Sequence, residues 1–188
     1  MHVTIMKARE IFQVYKRLLN RRPYLVQAIQ TGTLMGAGDL ISQILIEKQS
    51  FKEADYNRTL KFSSIGFCFG GPALRVWYGL LNRHVGSSGK TVALKKVFID
   101  QAVFAPTFLF LLLVALGTMQ GKSLDLVKDD INSNYFDILK ANYYIWPWVQ
   151  IVNFYYVPLQ YQVLLVQSVA LFWNTYLSYK TNRKRLVE

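Results

Sequence analysis

Four long apolar stretches alternate with polar segments along the chain. They cover residues 24–46, 62–81, 97–117 and 145–179. About 20 mostly apolar residues are needed for a helix to cross the roughly 30 Å of hydrocarbon in a bilayer. Soluble core helices show a polar stripe, which these stretches lack. The pattern therefore predicts an all-α fold, a polytopic membrane helix bundle with four spans that forms a single membrane domain over residues 1–188.

Two further segments have the amphipathic pattern of helices that lie along a membrane surface. Residues 8–21 place apolar positions opposite basic ones, and residues 123–140 place them opposite acidic ones. Ser123 is a suitable cap for the second helix. Both are predicted to be interfacial. The first lacks the apolar core and cleavage site of a secretory signal, so we expect it to be retained although its basic character loosely resembles a mitochondrial presequence.

Charge and composition indicate which class of binding partner the chain has. The chain is 52% hydrophobic and carries a formal net charge of +11. Its basic residues flank the apolar stretches instead of lining one face, which favours a lipid bilayer, in particular anionic lipid, over direct binding of nucleic acid. With four spans, both termini share a side with residues 82–96. That side holds more Lys and Arg, so the positive-inside tendency places it toward the cytoplasm or matrix.

Glycines recur four residues apart in the first two apolar stretches. The sequences are "GTLMG", with Gly32 and Gly36, and "GFCFG", with Gly66 and Gly70. Such spacing forms a flat face on which two helix backbones can approach closely, and close packing matters because lipid provides no hydrophobic drive between helices. We expect these four glycines to pack the first two spans into a tight hairpin.

Proline lies in or beside three of the spans, and the sequence "NYYIWPWVQIVNFYYVPLQYQ" (residues 142–162) contains two of the four prolines concerned. The predicted helix breaks are Pro72, Pro106, Pro147 and Pro158. Membrane helices tolerate proline where other groups satisfy the freed carbonyls. Because no turn residues surround Pro158, residues 142–179 are interpreted as one element kinked there. The suggested donors are Gln150, Asn153, Ser63, Ser64 and Thr107.

Three ionisable residues fall inside the predicted spans: Asp39, Arg75 and Asp100. Ionisable groups are expensive within a membrane and usually pair or face water. In one interpretation Arg75 pairs with one acid and the other acid snorkels or is protonated. In the other, a water-filled path is lined by polar side chains, the candidates being Asp39, Arg75, Asp100, Gln101, Gln150 and Asn153.

Catalytic and metal-binding chemistry find little support. His2 lies in a tail and His84 in a connection, and the single Cys68 offers neither a metal cluster nor a disulfide within the chain. No phosphate loop or nucleophile elbow appears. We therefore expect no enzyme activity, no metal and no cofactor.

Several motifs together resemble the Mpv-seventeen / peroxisomal membrane protein family over nearly the whole chain. They are "GTLMGAGDLISQ", "GPALRVWYGLL", "ALKKVFIDQAVFAP", "NYYIWPWVQIVNFYYVPLQY" and "WNTYLSY". The chain looks most similar to the family's mitochondrial inner-membrane member, with the peroxisomal membrane as the alternative location. The family usually has arginine four residues after the second proline of the fourth motif, where this chain has Gln162.

This resemblance implies a four-span protein without a cofactor, thought to form a channel and to support mitochondrial DNA maintenance and membrane-potential or metabolite homeostasis. Two function classes remain open. The chain is either a channel for small solutes or ions, or a non-conducting scaffold that binds protein partners or lipid. A homo-oligomer is compatible with both.

Overall fold

The computed structural model describes residues 2–86, 89–156 and 159–182, which are almost entirely helical. The α-helices are α1 (His2–Arg21), α2 (Pro23–Ile41), α3 (Tyr56–Ile65), α4 (Gly71–Val85), α5 (Lys90–Ile99), α6 (Ala105–Met119), α7 (Leu124–Tyr155) and α8 (Leu159–Asn182). These ranges contain no strand. The all-helical part of the predicted fold class is therefore confirmed.

Three π-helical turns extend or join these helices. They are Ser42–Ile46, Gly66–Gly70 and Asp100–Phe104. Pro72 and Pro106 closely follow the second and third turns. Proline supplies no N–H and its ring displaces the carbonyl four residues back, and a wider π turn absorbs such a distortion. These two prolines therefore deform the helical rods 56–85 and 90–119 without ending them.

Side chains satisfy backbone carbonyls near Pro106. The Tyr143 hydroxyl on α7 donates to the Gln101 carbonyl at 3.0 Å, and the Thr107 hydroxyl donates to the Val103 carbonyl at 2.8 Å. Thr107 was among the donors suggested by the sequence, whereas Tyr143 was not. The contact from Tyr143 ties α7 to the π turn, so the distorted backbone is held from a neighbouring helix.

The last apolar stretch differs from the single kinked element expected over residues 142–179. It divides between α7 and α8, and the two helices are antiparallel. Asp137 on α7 binds Lys180 on α8 at 2.7 Å, and Trp146 meets Trp173 edge-on with ring centroids 6.3 Å apart. The earlier residues of α7 therefore contact the later residues of α8. The chain reverses between the helices, although it lacks the usual turn residues there.

The structure also differs from the expectations for the segment 123–140 and for Pro147. The proposed interfacial segment 123–140 is the first part of α7 and is continuous with residues 145–155. Pro147 lies inside α7 and does not end it. Pro158 lies outside the described residues, and so does the side chain of Gln162.

The end of α8 lies beside the connection between α2 and α3. Arg58 at the start of α3 donates to the Ser178 hydroxyl at 2.8 Å, and Gln120 after α6 contacts Asn182 at 3.2 Å. The end of α4 at Val85 lies at the opposite end of the rod 56–85. The end of α8 at Asn182 thus lies on the side opposite the end of α4, and not on the same side as expected, because the α7–α8 hairpin adds one reversal of direction.

One continuous helical segment in the described ranges, Lys90–Met119, is long and apolar enough to cross a membrane by length and composition. Its length and apolar composition are those of a membrane span. The predicted count of four spans is not confirmed by this criterion. The other rods contain polar side chains that the bundle buries, among them Asp39, Gln43 and Asn174.

The apolar core is built around α6. Leu109, Leu112, Leu113 and Leu116 recur at helical spacing and form one buried face. That face packs against Met35, Phe62, Ile65, Ile138, Trp173 and Leu177. These residues come from α2, α3, α7 and α8, so the most apolar helix is the one that the others surround.

Glycine contacts bring α2 against the rod 56–85. A Cβ built on Gly66 would lie 2.7 Å from the Thr31 carbonyl oxygen, and one on Gly32 would lie 2.9 Å from that of Ser63. The Ser63 hydroxyl donates to the Gly32 carbonyl at 2.9 Å. At Gly36 and Gly70 the nearest atoms would be 3.2 Å away, which is a looser contact. The geometry matches the tight hairpin expected from the sequence.

Two glycines that the spacing argument did not select make closer contacts still. A Cβ on Gly71 would lie 2.5 Å from the Ala28 Cα, and one on Gly38 would lie 2.6 Å from the Asn174 Cβ. Gly38 therefore packs α2 against α8. The glycines of α2 therefore allow close packing against two elements, the rod 56–85 and α8.

Candidate functional site

A cavity of about 190 Å³ lies between α2, α4, α6, α7 and α8. The side chains that line it are mixed, with apolar and polar residues together. The polar lining consists of Gln27, Thr31, Tyr78, Asp100, Gln101, Asn142, Gln150, Gln167 and Asn174. A void with this many hydrogen-bonding groups has room and partners for water or a polar solute.

Asp100 enters the cavity lining from the π turn before α6. Its Oδ1 accepts a hydrogen bond from the indole Nε1 of Trp77 at 2.7 Å, and its Oδ2 accepts one from Nε2 of Gln101 at 2.9 Å. Both donors are neutral. Asp100 forms no ion pair with any residue in the described part of the chain.

Two amide oxygens in the lining have no hydrogen-bond partner. They are Oε1 of Gln101 and Oδ1 of Asn142, and both atoms are buried. Asn142 as a residue is 7% exposed, and Gln150 is 8% exposed. Buried polar groups are nearly always paired, so each unpaired oxygen needs an explanation such as a bound water or ligand.

The structure brings three of the predicted path residues into one cavity and leaves the others elsewhere. Asp100, Gln101 and Gln150 line it. Asn153 is buried outside this lining, with an unpaired Oδ1. Asn142 was not selected from the sequence, although it shares a helix face with Gln150 two turns later.

Asp39 belongs to a second polar cluster at the end of α2. Its side chain is fully buried, and Nε of Arg58 donates to its Oδ1 at 2.8 Å. Ser178 also donates to Oδ1, at 2.5 Å. On the other carboxylate oxygen, Gln43 donates at 2.8 Å and Thr59 at 2.6 Å. The carboxylate is completely satisfied within the protein and lies outside the cavity lining.

Arg58 also binds a second acid, Glu47. Its Nη1 and Nη2 donate to the two oxygens of Glu47 at 2.8 Å and 2.6 Å, a bidentate pair. Burial opposes the charge of Arg58, but the hydrogen bond to Glu47 and the charges of Asp39 and Glu47 outweigh it and raise the pKa of the guanidinium. One cation thus holds two buried carboxylates.

Arg75 does not take the role that one interpretation of the sequence gave it. It is exposed, and its guanidinium lies over the Tyr24 ring, 5.8 Å from the centroid. Arg58 pairs with Asp39 instead. Arg58 was not selected from the sequence because it precedes the apolar stretch 62–81. Its position four and seven residues before Phe62 and Ile65, on one helix face, was the available signal.

The described part of the fold brings no set of metal-ligating side chains together. In the described ranges no group of three or more His, Cys, Asp or Glu side chains could hold an ion. Cys68 is exposed.

Comparison with known proteins gives a consistent result. Residues 117–178 match the model of the Mpv17 / PMP22 family. The mitochondrial inner membrane protein Mpv17 of Xenopus laevis is 44% identical over 173 residues, which cover 92% of this chain and 98% of that protein. The human protein of the same name is 43% identical over the same coverage.

A more distant relative agrees with this result. Protein sym-1 of Neurospora crassa is 38% identical over 168 residues, covering 88% of this chain and 95% of the relative. No solved structure is significantly similar to the chain. The identity to the Mpv17 proteins, over nearly the full length of both chains, shows that the chain belongs to the Mpv17 / PMP22 family and is a mitochondrial inner membrane protein.

Proposed function

We propose that the chain is a channel-like protein, without enzyme activity, that passes small solutes across the mitochondrial inner membrane by way of the central cavity. The observation that carries the proposal is the polar lining of that cavity, which includes Asp100 and buried amide side chains. Polar side chains at membrane depth are costly and typically mark a solute or ion pathway.

The backbone beside the cavity supports the same function. Asp100 and Gln101 belong to a π turn within the rod 90–119, and such turns inside α-helices occur frequently at functional sites. Tyr143 holds the Gln101 carbonyl from α7. The irregular segment is thus fixed in place while its side chains remain available to a solute.

A non-conducting scaffold is the alternative that the sequence left open. Part of its support was the presence of small-residue faces suited to partner proteins. In the structure Gly32, Gly38, Gly66 and Gly71 are occupied by contacts within the chain. They are not free for a partner, so this argument for a scaffold is weakened.

Anionic lipid is the partner proposed for the first helix. Arg17, Arg21 and Arg22 are exposed, and so are Phe12 and Leu18 on the same segment. Basic and apolar groups together suit the headgroup region of a membrane. A homo-oligomer is also proposed, and native mass spectrometry of protein released from lipid nanodiscs would report both bound anionic lipid and copy number.

The resemblance to the family also suggests a role in mitochondrial DNA maintenance and in membrane-potential or metabolite homeostasis. In this proposal the role follows from solute exchange. Cells that lack the chain should lose mitochondrial DNA copies, and the parent protein should restore them better than a variant with a blocked cavity.

The direct test is conductance of the purified protein in a planar bilayer. Leu74 lines the cavity on α4, whereas Val76 on the same helix is 49% exposed. Leu74→Trp should reduce stepwise conductance because the indole fills the void, and Val76→Trp is the matched control that should not. A silent parent protein, or equal conductance in both variants, would contradict the proposal.

A further inference from the structure

We propose that the central cavity binds a small organic cation carrying N–H donors, the simplest being a primary alkylammonium ion, with Asp100 as its counter-charge. Asn142 and Gln101 supply the additional acceptors. This deepens the proposed function by naming the class of solute, and it rests on that function for transport but not for binding.

The charge of the cavity points to a cation. Among the described residues of the lining, Asp100 is the one Asp, Glu, Lys, Arg or His side chain. Its hydrogen-bond donors, Trp77 and Gln101, are neutral. Asp39 provides a contrast within the same molecule, because its charge is matched by Arg58 at 2.8 Å. Carboxylates at membrane depth pair with a cation or meet water, and Asp100 has no protein cation among the described residues.

The unpaired atoms point to a ligand with several donors. Oδ1 of Asn142 and Oε1 of Gln101 are buried acceptors without partners. An alkylammonium head has three N–H donors and no acceptor. One carboxylate and two amide oxygens are therefore complementary to it. A carboxylate or phosphate ligand would instead face the charge of Asp100 and oxygens that cannot donate.

The remaining walls suit an organic body behind that head. Phe104, Phe108, Trp146 and Trp173 contribute aromatic surface, and aromatic faces attract cations. The volume of about 190 Å³ sets the size. A dry cavity of about 150 Å³ holds benzene in another protein, so a body of up to roughly that size fits here.

The test is isothermal titration calorimetry of the full chain in lipid nanodiscs with n-butylammonium. Tetramethylammonium keeps the charge without N–H donors, n-butanol keeps the chain without charge, and butyrate reverses the charge. We expect n-butylammonium to bind at least about tenfold more tightly than the first two, from the strength of charged hydrogen bonds. Butyrate should give no measurable binding.

Variants assign the binding to the cavity. Asp100→Asn should weaken n-butylammonium binding by at least about tenfold, and Asn142→Leu should weaken it severalfold. Asp137→Asn, which changes an exposed carboxylate on α7, is the control and should leave binding unchanged. The melting temperature without ligand shows whether each variant is folded.

Either of two results would overturn the proposal: equal binding of n-butylammonium and n-butanol, or unchanged binding in a folded Asp100→Asn variant. If Asp100→Asn does not fold, Asn142→Leu and the ligand series decide in the same way. Conductance of the same preparation separates the two proposals. If the protein binds n-butylammonium but shows no conductance, the cation site is supported and the channel is contradicted. If it conducts but does not bind n-butylammonium, the channel is supported and the cation site is contradicted.

Discussion

Arg58→Met removes the cation that holds two buried carboxylates. In the parent protein the guanidinium donates to Asp39, Glu47 and Ser178 over distances of 2.6–2.8 Å. Methionine replaces only the aliphatic part of arginine and has no charge, so Asp39 and Glu47 would be left buried without their counter-ion. Removing one partner of a buried ion pair typically costs about 3–5 kcal/mol. A chain of 150–250 residues loses roughly 2–4 °C per kcal/mol, which gives a fall in melting temperature of roughly 6–20 °C.

The assay is thermal unfolding in detergent, followed by circular dichroism and by recovery of monodisperse protein. Arg75→Met is the matched control, because Arg75 is exposed and contacts the Tyr24 ring alone among the described interactions. An exposed cation–π contact contributes about 0.5–1 kcal/mol, so the control should lose only a few degrees.

A rescue variant tests the electrostatic cause. Arg58→Met combined with Asp39→Asn and Glu47→Gln removes the stranded charges, and it should recover much of the lost stability because a neutral replacement of a buried ion pair is often tolerated. The reasoning is refuted if Arg58→Met and Arg75→Met melt at the same temperature. It is also refuted if the triple variant is less stable than Arg58→Met.

Three further predictions follow from the fold. In a Cys68→Ser background, single cysteines placed at positions 52 and 184 should react with an impermeant thiol reagent from the same side of a sealed membrane, because α8 ends beside the α2–α3 connection. A cysteine at position 83 should react from the other side. Labelling of positions 83 and 184 from the same side would contradict the antiparallel α7–α8 hairpin. Gly71→Ala should lower the melting temperature through overpacking of about 1–3 kcal/mol against Ala28, whereas Gly79→Ala, with nothing within 4 Å, should not. The hydrogen bond and charge of Lys180 lower the pKa of Asp137 below its ordinary 3.8, so this pair stabilises the fold above that pH and its contribution is lost as the pH falls through the lowered pKa. Carboxyl NMR should show the Asp137 titration move upward in Lys180→Gln, and an unmoved titration would argue against the pair.

Helix content and close packing followed from local sequence patterns. Apolar runs and glycine spacing are short-range signals, and the rod 90–119 with the Gly32–Gly66 contact reproduces them. The reversal between α7 and α8 could not be found in this way. Hydropathy runs continuously across residues 145–179 and carries no information about direction.

The partner of Asp39 was missed for a related reason. Arg58 lies 19 residues further along the chain and outside the apolar stretch, and Ser178 lies 139 residues further along. Nothing local distinguishes Arg58 from a solvated basic residue beside a span. Asp100, by contrast, was found because a single acid in an apolar run is conspicuous, and only its neutral donor Trp77 required the fold.

The contact between Ser178 and Asp39 has a consequence for biogenesis. Contacts between residues distant in sequence form late, because the intervening chain must first be ordered. The hairpin of α2 and α3 can assemble as soon as both helices have been synthesised, with Arg58 already bound to Asp39. Its polar cluster is completed only by the last helix, which supplies Ser178. A chain truncated before α8 therefore presents an unfinished hydrogen-bond site at the end of its first hairpin, a feature by which proteolytic surveillance could distinguish it from the complete protein.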